Sequence, residues 1–142
     1  MKRFLIVLAT ALLASGAFAQ NAATEQFGTV INDASQQGWL QINVENSANF
    51  IFEVEPFLLD VRSEDEFAAG HLEGAVLVPV TQLSERLGEL PEDLNTPMIV
   101  YCAAGVRGNW ALALLKIAGY ENVRNMSGGF NAWKEAGFPY AE

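Results

Sequence analysis

Short apolar runs alternate with amphipathic stretches over most of this chain. Four runs rich in aliphatic and β-branched residues lie at Phe57–Val61, Ala75–Val78, Met98–Tyr101 and, more weakly, Asn122–Met126. Each is too short for a buried helix and is bounded by Pro, Gly or Asn, so each predicts a strand. Because the runs are unbroken instead of alternating with polar residues, they indicate a mainly parallel sheet that is covered on both faces.

The stretches between these strands predict four short helices. Ser63 opens the first with the S-x-x-E pattern of a capping box, and Gly70 closes it. The other three are predicted over Thr81–Gly88, Gly108–Ala118 and Gly129–Ala136. Strands that alternate with helices in this way predict an α/β fold.

The chain before Pro56 is less regular. Apolar residues at helical spacing predict a helix over Ala22–Gln37, ended by Gly38. Two strand-like pieces follow, at Leu40–Val44 and Phe50–Phe52, and they either add to the sheet edge or pack over it. Neither piece carries recognisable chemistry, so we interpret this region as structural.

The first residues have the organisation of a secretory signal peptide. Lys2 and Arg3 precede an apolar stretch, Phe4–Leu13, and Ala17-Phe18-Ala19 forms an A-x-A cleavage site. The apolar stretch is about ten residues long, short of the ~20 that cross a bilayer. We therefore expect residues 1–19 to be removed, leaving a periplasmic or secreted protein with no membrane attachment.

Composition and charge argue against several classes of function. The length of 142 residues predicts one domain, and 17 acidic against 8 basic side chains give a formal charge of −9, or −11 once Lys2 and Arg3 are lost. No basic run extends beyond Met1–Arg3, so nucleic-acid binding is not expected. One cysteine and one histidine cannot build a Cys/His metal site. We expect a monomer with no metal and no cofactor.

The single cysteine, Cys102, ends a predicted buried strand. The carboxyl end of a parallel strand is where open α/β sheets bind ligands. The small residues of the loop that follows, up to Gly108, allow backbone N–H groups to turn inward beside a helix start and form an anion site. A thiolate would be stabilised there, which makes Cys102 a candidate nucleophile. The alternative is a small buried apolar residue.

Four segments resemble motifs of the rhodanese sulfurtransferases. Cys102–Gly108 resembles the active-site loop C-x-x-G-V-[R/T/S], and Leu58–Arg62 resembles the first L-L-D-V-R strand. Glu66–Ala75 resembles the E-[FY]-x-x-G-H-I-x-G-A box, and Gly128–Trp133 resembles the closing G-G-x-x-x-W box. The motifs stand in the family's order over about Phe57–Pro139.

This resemblance implies a fold and a domain boundary. The implied fold is a rhodanese-like α/β domain with a central, mainly parallel five-stranded sheet and helices on both faces. We place this domain at residues 56–142, after the signal peptide and an N-terminal extension at residues 20–55.

The resemblance also implies a reaction. Rhodaneses move a sulfane sulfur from a donor, such as thiosulfate or a polysulfide, onto a cysteine and then pass it to a thiophilic acceptor, such as cyanide or a thiol. Cys102 would carry the persulfide in an exported sulfurtransferase of the thiosulfate:cyanide type. The alternative is a persulfide carrier that binds a partner protein, its sulfur acceptor, and turns over few small molecules.

Loop length favours sulfur transfer over two related chemistries. Four residues separate Cys102 from Arg107, the C-x4-R spacing of sulfurtransferases, whereas the related dual-specificity phosphatases and arsenate reductases use C-x5-R. Arg107 is the only full positive charge in the loop and is a candidate to hold an anionic donor; the alternative is an ion pair with a nearby carboxylate. The other candidates for substrate binding through the loop backbone are Ala103, Ala104, Gly105, Val106 and Gly108.

Three further residues are accessory candidates. Asp60 and Arg62 match the family's D-x-R pair, and we favour a structural hydrogen bond between them over tuning of the site. Phe130 is placed at the mouth of the pocket. His71 is interpreted as a turn histidine bonded to the backbone, because no Asn or Asp partner motif of a protease dyad accompanies it. Two aromatic residues are assigned to packing: Trp110 and Trp133.

Overall fold

The structure, a computed structural model, describes residues 21–30, 32 and 40–142 of the chain. Residues 21–30 are helical (α1), which agrees with the first part of the helix predicted over Ala22–Gln37. Most of the remainder of that helix, its stop at Gly38 and the predicted signal peptide lie outside the described residues.

Five strands form one sheet in the order β1-β5-β4-β2-β3, and every neighbouring pair is parallel. This confirms the predicted α/β fold with a five-stranded parallel sheet. Strand β4 has the predicted bounds, and the three other predicted runs differ by one residue or less at each end. The strands are β1 (Gln41–Ile42), β2 (Phe57–Asp60), β3 (Val76–Leu77), β4 (Met98–Tyr101) and β5 (Val123–Met126).

Four further helices connect or follow these strands. A 3-10 turn at Leu87–Glu89 lies between β3 and β4. Ser63 and Glu66 form the predicted capping box at the start of α3. No helix in the described part of the chain has both the length and the apolar composition to cross a bilayer. The helices are α2 (Val44–Val54), α3 (Glu64–Ala68), α4 (Val106–Ile117) and α5 (Gly129–Glu135).

Alternate residues of β4 face two separate cores, as expected for a central strand with helices on both faces. Met98 packs in a cluster with Leu115 of α4. Ile99 packs on the other face with Val44 of α2 and Trp133 of α5. The sheet is therefore covered on both sides, and the core position predicted for Trp133 is confirmed.

The strand predicted at Phe50–Phe52 is wrong, because these residues lie in α2. The side chain of Asn43 caps this helix by accepting the N–H of Asn46 at 2.8 Å. Parallel strands need a crossover between them, and α2 supplies it between β1 and the rest of the sheet. Of the piece predicted at Leu40–Val44, only Gln41–Ile42 pairs in the sheet, at its edge beside β5.

The α-helix predicted over Thr81–Gly88 is also wrong. Its place is taken by turns and the 3-10 turn, in which N–H groups bond carbonyls three residues back, as from Gln82 to Pro79 at 2.8 Å. The 3-10 turn has no side-chain cap at its start, whereas Ser63 and Glu66 cap α3. Its apolar residues still serve the core, since Leu83 is fully buried.

The packing role assigned to Trp110 is wrong as well. Trp110 is 63% exposed on α4, and Val106, one turn earlier, is 60% exposed. The helix turns Ala111 and Leu115 towards the sheet instead, so Trp110 lies on the solvent side. An aromatic and an aliphatic side chain thus stand exposed beside the loop that follows β4.

Candidate active site

Cys102 directly follows β4 at the carboxyl edge of the sheet. The chain leaves β2 towards β3 on one side and leaves β4 towards β5 on the other, so the space between β2 and β4 is the topological switch point where such sheets bind ligands. The thiol is buried, with 1% of Cys102 exposed. Its Sγ accepts a hydrogen bond from the backbone N–H of Gly105 at 3.1 Å.

The loop turns sharply back at Gly105 into α4. Gly105 has a φ of 96°, in the left-handed region that favours glycine, and α4 begins at the next residue, two residues earlier than predicted. Its carbonyl accepts the N–H of Asn109 at 3.1 Å. The remaining candidate loop residues differ in exposure: Gly108 is buried, Ala103 and Arg107 are half-buried, and Ala104 and Val106 are exposed.

The start of α5 is hydrogen-bonded to the loop that follows β4. The N–H of Phe130 donates to the carbonyl of Cys102 at 2.8 Å, and the N–H of Asn131 donates to the carbonyl of Ala103 at 3.0 Å. In a trans peptide the carbonyl and the following N–H point in opposite directions, so the N–H groups of Ala103 and Ala104 face away from α5. The contact with α5 therefore fixes the direction of the loop's donors.

Glycine at position 129 is what permits this contact. Gly129 has a φ of +59°, and a Cβ there would lie 2.3 Å from the carbonyl oxygen of Cys102 and 2.7 Å from the carbonyl carbon of Ala103. Both neighbours are backbone, so neither can swing aside as a flexible side chain would. The G-G pair of the closing motif thus has a local steric function.

Asn125 supports the loop from β5, a role that the sequence analysis missed. The side chain is 1% exposed, and its Nδ2 donates to the carbonyl of Gly105 at 3.1 Å. A Cβ on Gly108 would lie 2.1 Å from Asn125 Oδ1, so glycine at 108 lets α4 pack over this amide. The available signal was a polar residue inside the apolar run Asn122–Met126.

Arg107 forms the ion pair that was the alternative to donor binding. Its two terminal nitrogens donate to the two carboxylate oxygens of Glu66, each at 2.7 Å. Glu66 also accepts from the N–H of Ser63 at 3.1 Å, so one carboxylate caps α3 and ties it to the loop. The hydrogen bond from Arg107 is the main cause that lowers the pKa of Glu66 to about 2, and the same bond raises the pKa of Arg107.

Asp60 and Arg62 form a buried ion pair at the end of β2. The Arg62 Nη2 lies 2.6 Å from Asp60 Oδ2 and donates to the carbonyl of Gly70 at 2.7 Å. Asp60 is fully buried, and Arg62 is 4% exposed. This is the structural hydrogen bonding that we favoured, and it leaves the Arg62 guanidinium engaged on one edge.

A pocket of about 200 Å³ lies beside the loop, against Ala103. Phe130 lines it together with Arg62, whose guanidinium carbon lies 4.3 Å from the Phe130 ring centroid. Lys134 lines it as well, with Nζ 5.1 Å from the same ring, and the sequence analysis missed this residue. The available signal was a cation four residues after Phe130, on the same face of a helix.

His71 lies outside the site. Its Nδ1 is 3.0 Å from the carbonyl oxygen of Phe67, and its backbone N–H donates to the carbonyl of Ala141 at 2.9 Å. The imidazole also stacks on the Phe67 ring, with 3.7 Å between the ring centroids. These contacts confirm the interpretation of His71 as a turn histidine bonded to the backbone.

The Gly129 contact gives a direct test with a matched control. Gly129→Ala and Gly137→Ala both place alanine at a positive φ, which costs about 1–2 kcal/mol, but a Cβ at Gly137 meets nothing within 4 Å. We expect the free energy of unfolding in urea to fall by about 1–3 kcal/mol more in Gly129→Ala than in Gly137→Ala, because the methyl group at position 129 overlaps the loop backbone. We also expect Cys102 to react faster with an aromatic disulfide in Gly129→Ala alone. Equal losses in the two variants would contradict the proposed role of the contact.

The Glu66–Arg107 ion pair predicts a pH-dependent stability. Since folding lowers the pKa of Glu66 from 4.5 to about 2, its contribution is complete above pH 4.5 and is lost as the pH falls towards 2. Glu66→Gln keeps the capping box but removes the charge, and it should cost about 1 kcal/mol at neutral pH after solvent screening of this half-exposed pair.

The measurement is the free energy of unfolding of the wild type and of Glu66→Gln between pH 7 and pH 2. The difference between them should shrink as the carboxylate is protonated. Glu64→Gln is the control, because it removes a carboxylate from the same turn without touching Arg107. A difference that stays constant down to pH 2 would show that the ion pair contributes nothing.

Comparison with known proteins agrees with this geometry. The rhodanese-like domain matches residues 39–136, a range that includes β1, α2 and the whole sheet. A protein of Allochromatium vinosum named sulfurtransferase is 33% identical over 100 residues, which cover 70% of this chain and 92% of that protein. Thiosulfate sulfurtransferase 18 of Arabidopsis thaliana is 37% identical over 93 residues, 57% of this chain and 68% of that one.

Solved structures lead to the same conclusion. A rhodanese-related protein from Thermoplasma volcanium superposes with a TM-score of 0.65 at 29% identity, over 71% of this chain and 96% of that one. The family match spans more than half of the chain, the sheet has the same architecture, and the loop motif lies at the carboxyl end of the central strand. The chain belongs to the rhodanese-like domain family.

Proposed function

We propose that this protein is an exported sulfurtransferase that carries a sulfane sulfur as a persulfide on Cys102. The observation that carries the proposal is the setting of the thiol. Sγ lies at the carboxyl end of the central strand β4 and accepts the Gly105 N–H at 3.1 Å, in a loop whose backbone is fixed by α5. Relatives named as sulfurtransferases support the same reaction class.

The first half-reaction loads the cysteine. The Cys102 thiolate attacks the outer sulfur of thiosulfate, a new S–S bond forms, and the bond to the sulfite group breaks with its electron pair leaving on sulfite. Charge is conserved without a proton, since a thiolate and a dianion become a persulfide anion and sulfite. The Gly105 N–H, already directed at Sγ, is placed to stabilise the thiolate that begins this step.

The second half-reaction empties the cysteine. A thiophilic acceptor such as cyanide attacks the terminal sulfur, thiocyanate leaves, and the Cys102 thiolate is restored. Burial of the thiol keeps water away from the persulfide between the two steps. The two steps share one carrier, so the kinetics should be ping-pong.

A second candidate function is a persulfide carrier that serves a partner protein. The exposed pair Val106 and Trp110, one helical turn apart beside the loop, favours it. Exposed aromatic side chains near a reactive group are typical of protein docking sites. In that case the acceptor would be a protein thiol, and turnover with small acceptors would be slow.

Export is the remaining part of the proposal. It rests on the basic start, apolar stretch and A-x-A site of residues 1–19. In an exported setting a lone cysteine has no internal disulfide partner, which leaves the thiol free for sulfur transfer.

Cys102→Ser tests the sulfur carrier. We expect the wild type to gain the mass of one sulfur atom with thiosulfate and to lose it with cyanide, as seen by intact-mass spectrometry. The variant should gain nothing, because its hydroxyl forms no persulfide, and it should keep the wild-type melting temperature. Loading of the wild type without turnover of cyanide would favour the carrier function, and undiminished turnover by the variant would remove Cys102 from its role.

Export is tested by the N-terminal sequence. We expect the protein recovered from the exported fraction of its native host to begin at Gln20, because the A-x-A site ends at Ala19. A chain found only inside the cell and still beginning at Met1 would contradict this part of the proposal.

A further inference from the structure

The cationic side chains at the pocket beside the loop differ in whether a carboxylate pairs with them. Three cations and one carboxylate, that of Glu66, stand there or next to it. Arg62 is bonded to Asp60 within a buried pair, and Arg107 is bonded through both terminal nitrogens to Glu66. In each case a carboxylate already compensates the charge of the guanidinium, so neither arginine offers an unpaired positive charge to an incoming anion.

Lys134 is the exception. It is exposed on α5, and among the residues that the structure describes no carboxylate forms an ion pair with its ammonium group. The ammonium group lies over the Phe130 ring, whose centroid is 5.1 Å from Nζ. The lysine therefore stands at the pocket with its hydrogen-bonding capacity free for a ligand.

The pocket places Lys134 close to the chemistry. Ala103, the neighbour of Cys102, lines the same pocket, and Asn131 bonds the carbonyl of Ala103 from the start of α5. Lys134 lies one turn after Asn131 on this helix, so the element that fixes the loop also carries the cation. A small anion in the pocket would contact Lys134 while its far end reached towards the loop.

We propose that Lys134 is the residue that selects an anionic sulfur donor, by binding the oxyanion end of a thiosulfate- or thiosulfonate-type molecule. This inference rests on the proposed function and adds to it the residue that recognises the donor. The protein carries a formal charge of −9, so long-range repulsion opposes a dianion, and a local uncompensated cation at the pocket offsets it. Arg107 then acts chiefly as a structural tie to Glu66.

The kinetic test uses three variants and two donors. Lys134→Gln removes the charge, Lys134→Arg restores it, and Lys116→Gln removes a lysine from the far end of α4 as the matched control. Thiosulfate is the dianionic donor, and benzenethiosulfonate is a monoanionic donor of the same sulfur. Initial rates with cyanide give KM and kcat for each donor.

We expect Lys134→Gln to raise the KM for thiosulfate roughly tenfold. This loss lies between that expected for an exposed ion pair and that expected for a charged hydrogen bond. The KM for benzenethiosulfonate should rise less. The kcat should change less than about twofold, because the contact is to the donor's unreactive end. Lys134→Arg should recover most of the affinity, and Lys116→Gln should match the wild type. Equal KM values for the wild type and Lys134→Gln would overturn the proposal.

A binding experiment separates this inference from the proposed function. Sulfite, the leaving group, is titrated by calorimetry into Cys102→Ser protein with and without Lys134→Gln, so no sulfur transfer is needed. Binding that weakens roughly tenfold without Lys134 supports the site even if the wild type fails to turn over thiosulfate. Binding that is absent, or unchanged by Lys134→Gln, overturns it even if turnover is normal.

Discussion

The close approach of the start of α5 to the loop after β4 is the contact on which the site depends. Two backbone N–H groups, of Phe130 and Asn131, hold the carbonyls of Cys102 and Ala103, and only glycine at 129 leaves room for them. Because the carbonyls are engaged on that side, the following N–H groups are turned the other way. A loop of small residues, which alone would sample many conformations, is thereby held in one.

The electrostatics of the site follow from how its cations are paired. Asp60 and Arg62 fix the end of β2, and Glu66 fixes Arg107 while it caps α3. Both arginines are therefore engaged in holding the fold together. Desolvation also raises the pKa of Tyr101 above its usual range, so its hydroxyl stays neutral and accepts the Leu72 N–H at 3.1 Å. Among the described residues, the lysine at the pocket is the cation there that no carboxylate pairs with, and the loop backbone adds its N–H donors.

The sequence predicted the structure best where short local patterns determine it. The unbroken run before Cys102 predicted a buried strand with the thiol at its carboxyl end, and the S-x-x-E pattern predicted the cap of α3. The predictions from sequence were wrong where contacts between distant parts of the chain determine the structure. Phe50–Phe52 is helical because a parallel sheet needs a crossover, and Trp110 is exposed because α4 turns Ala111 and Leu115 to the sheet. The ion-pair partner of Arg107 is Glu66, which lies 41 residues earlier in the sequence. No rule of local residue spacing applies over such a separation.

We infer that the loop held by α5 presents its N–H donors to sulfur on Cys102. A crystal structure determined after incubation with thiosulfate tests it most directly. We expect density for a second sulfur atom bonded to Cys102 Sγ, with the terminal sulfur within hydrogen-bond distance of loop N–H groups. The carbonyls of Cys102 and Ala103 should still be bonded to α5. An unmodified thiol, or a persulfide directed away from the loop with those two bonds broken, would contradict it.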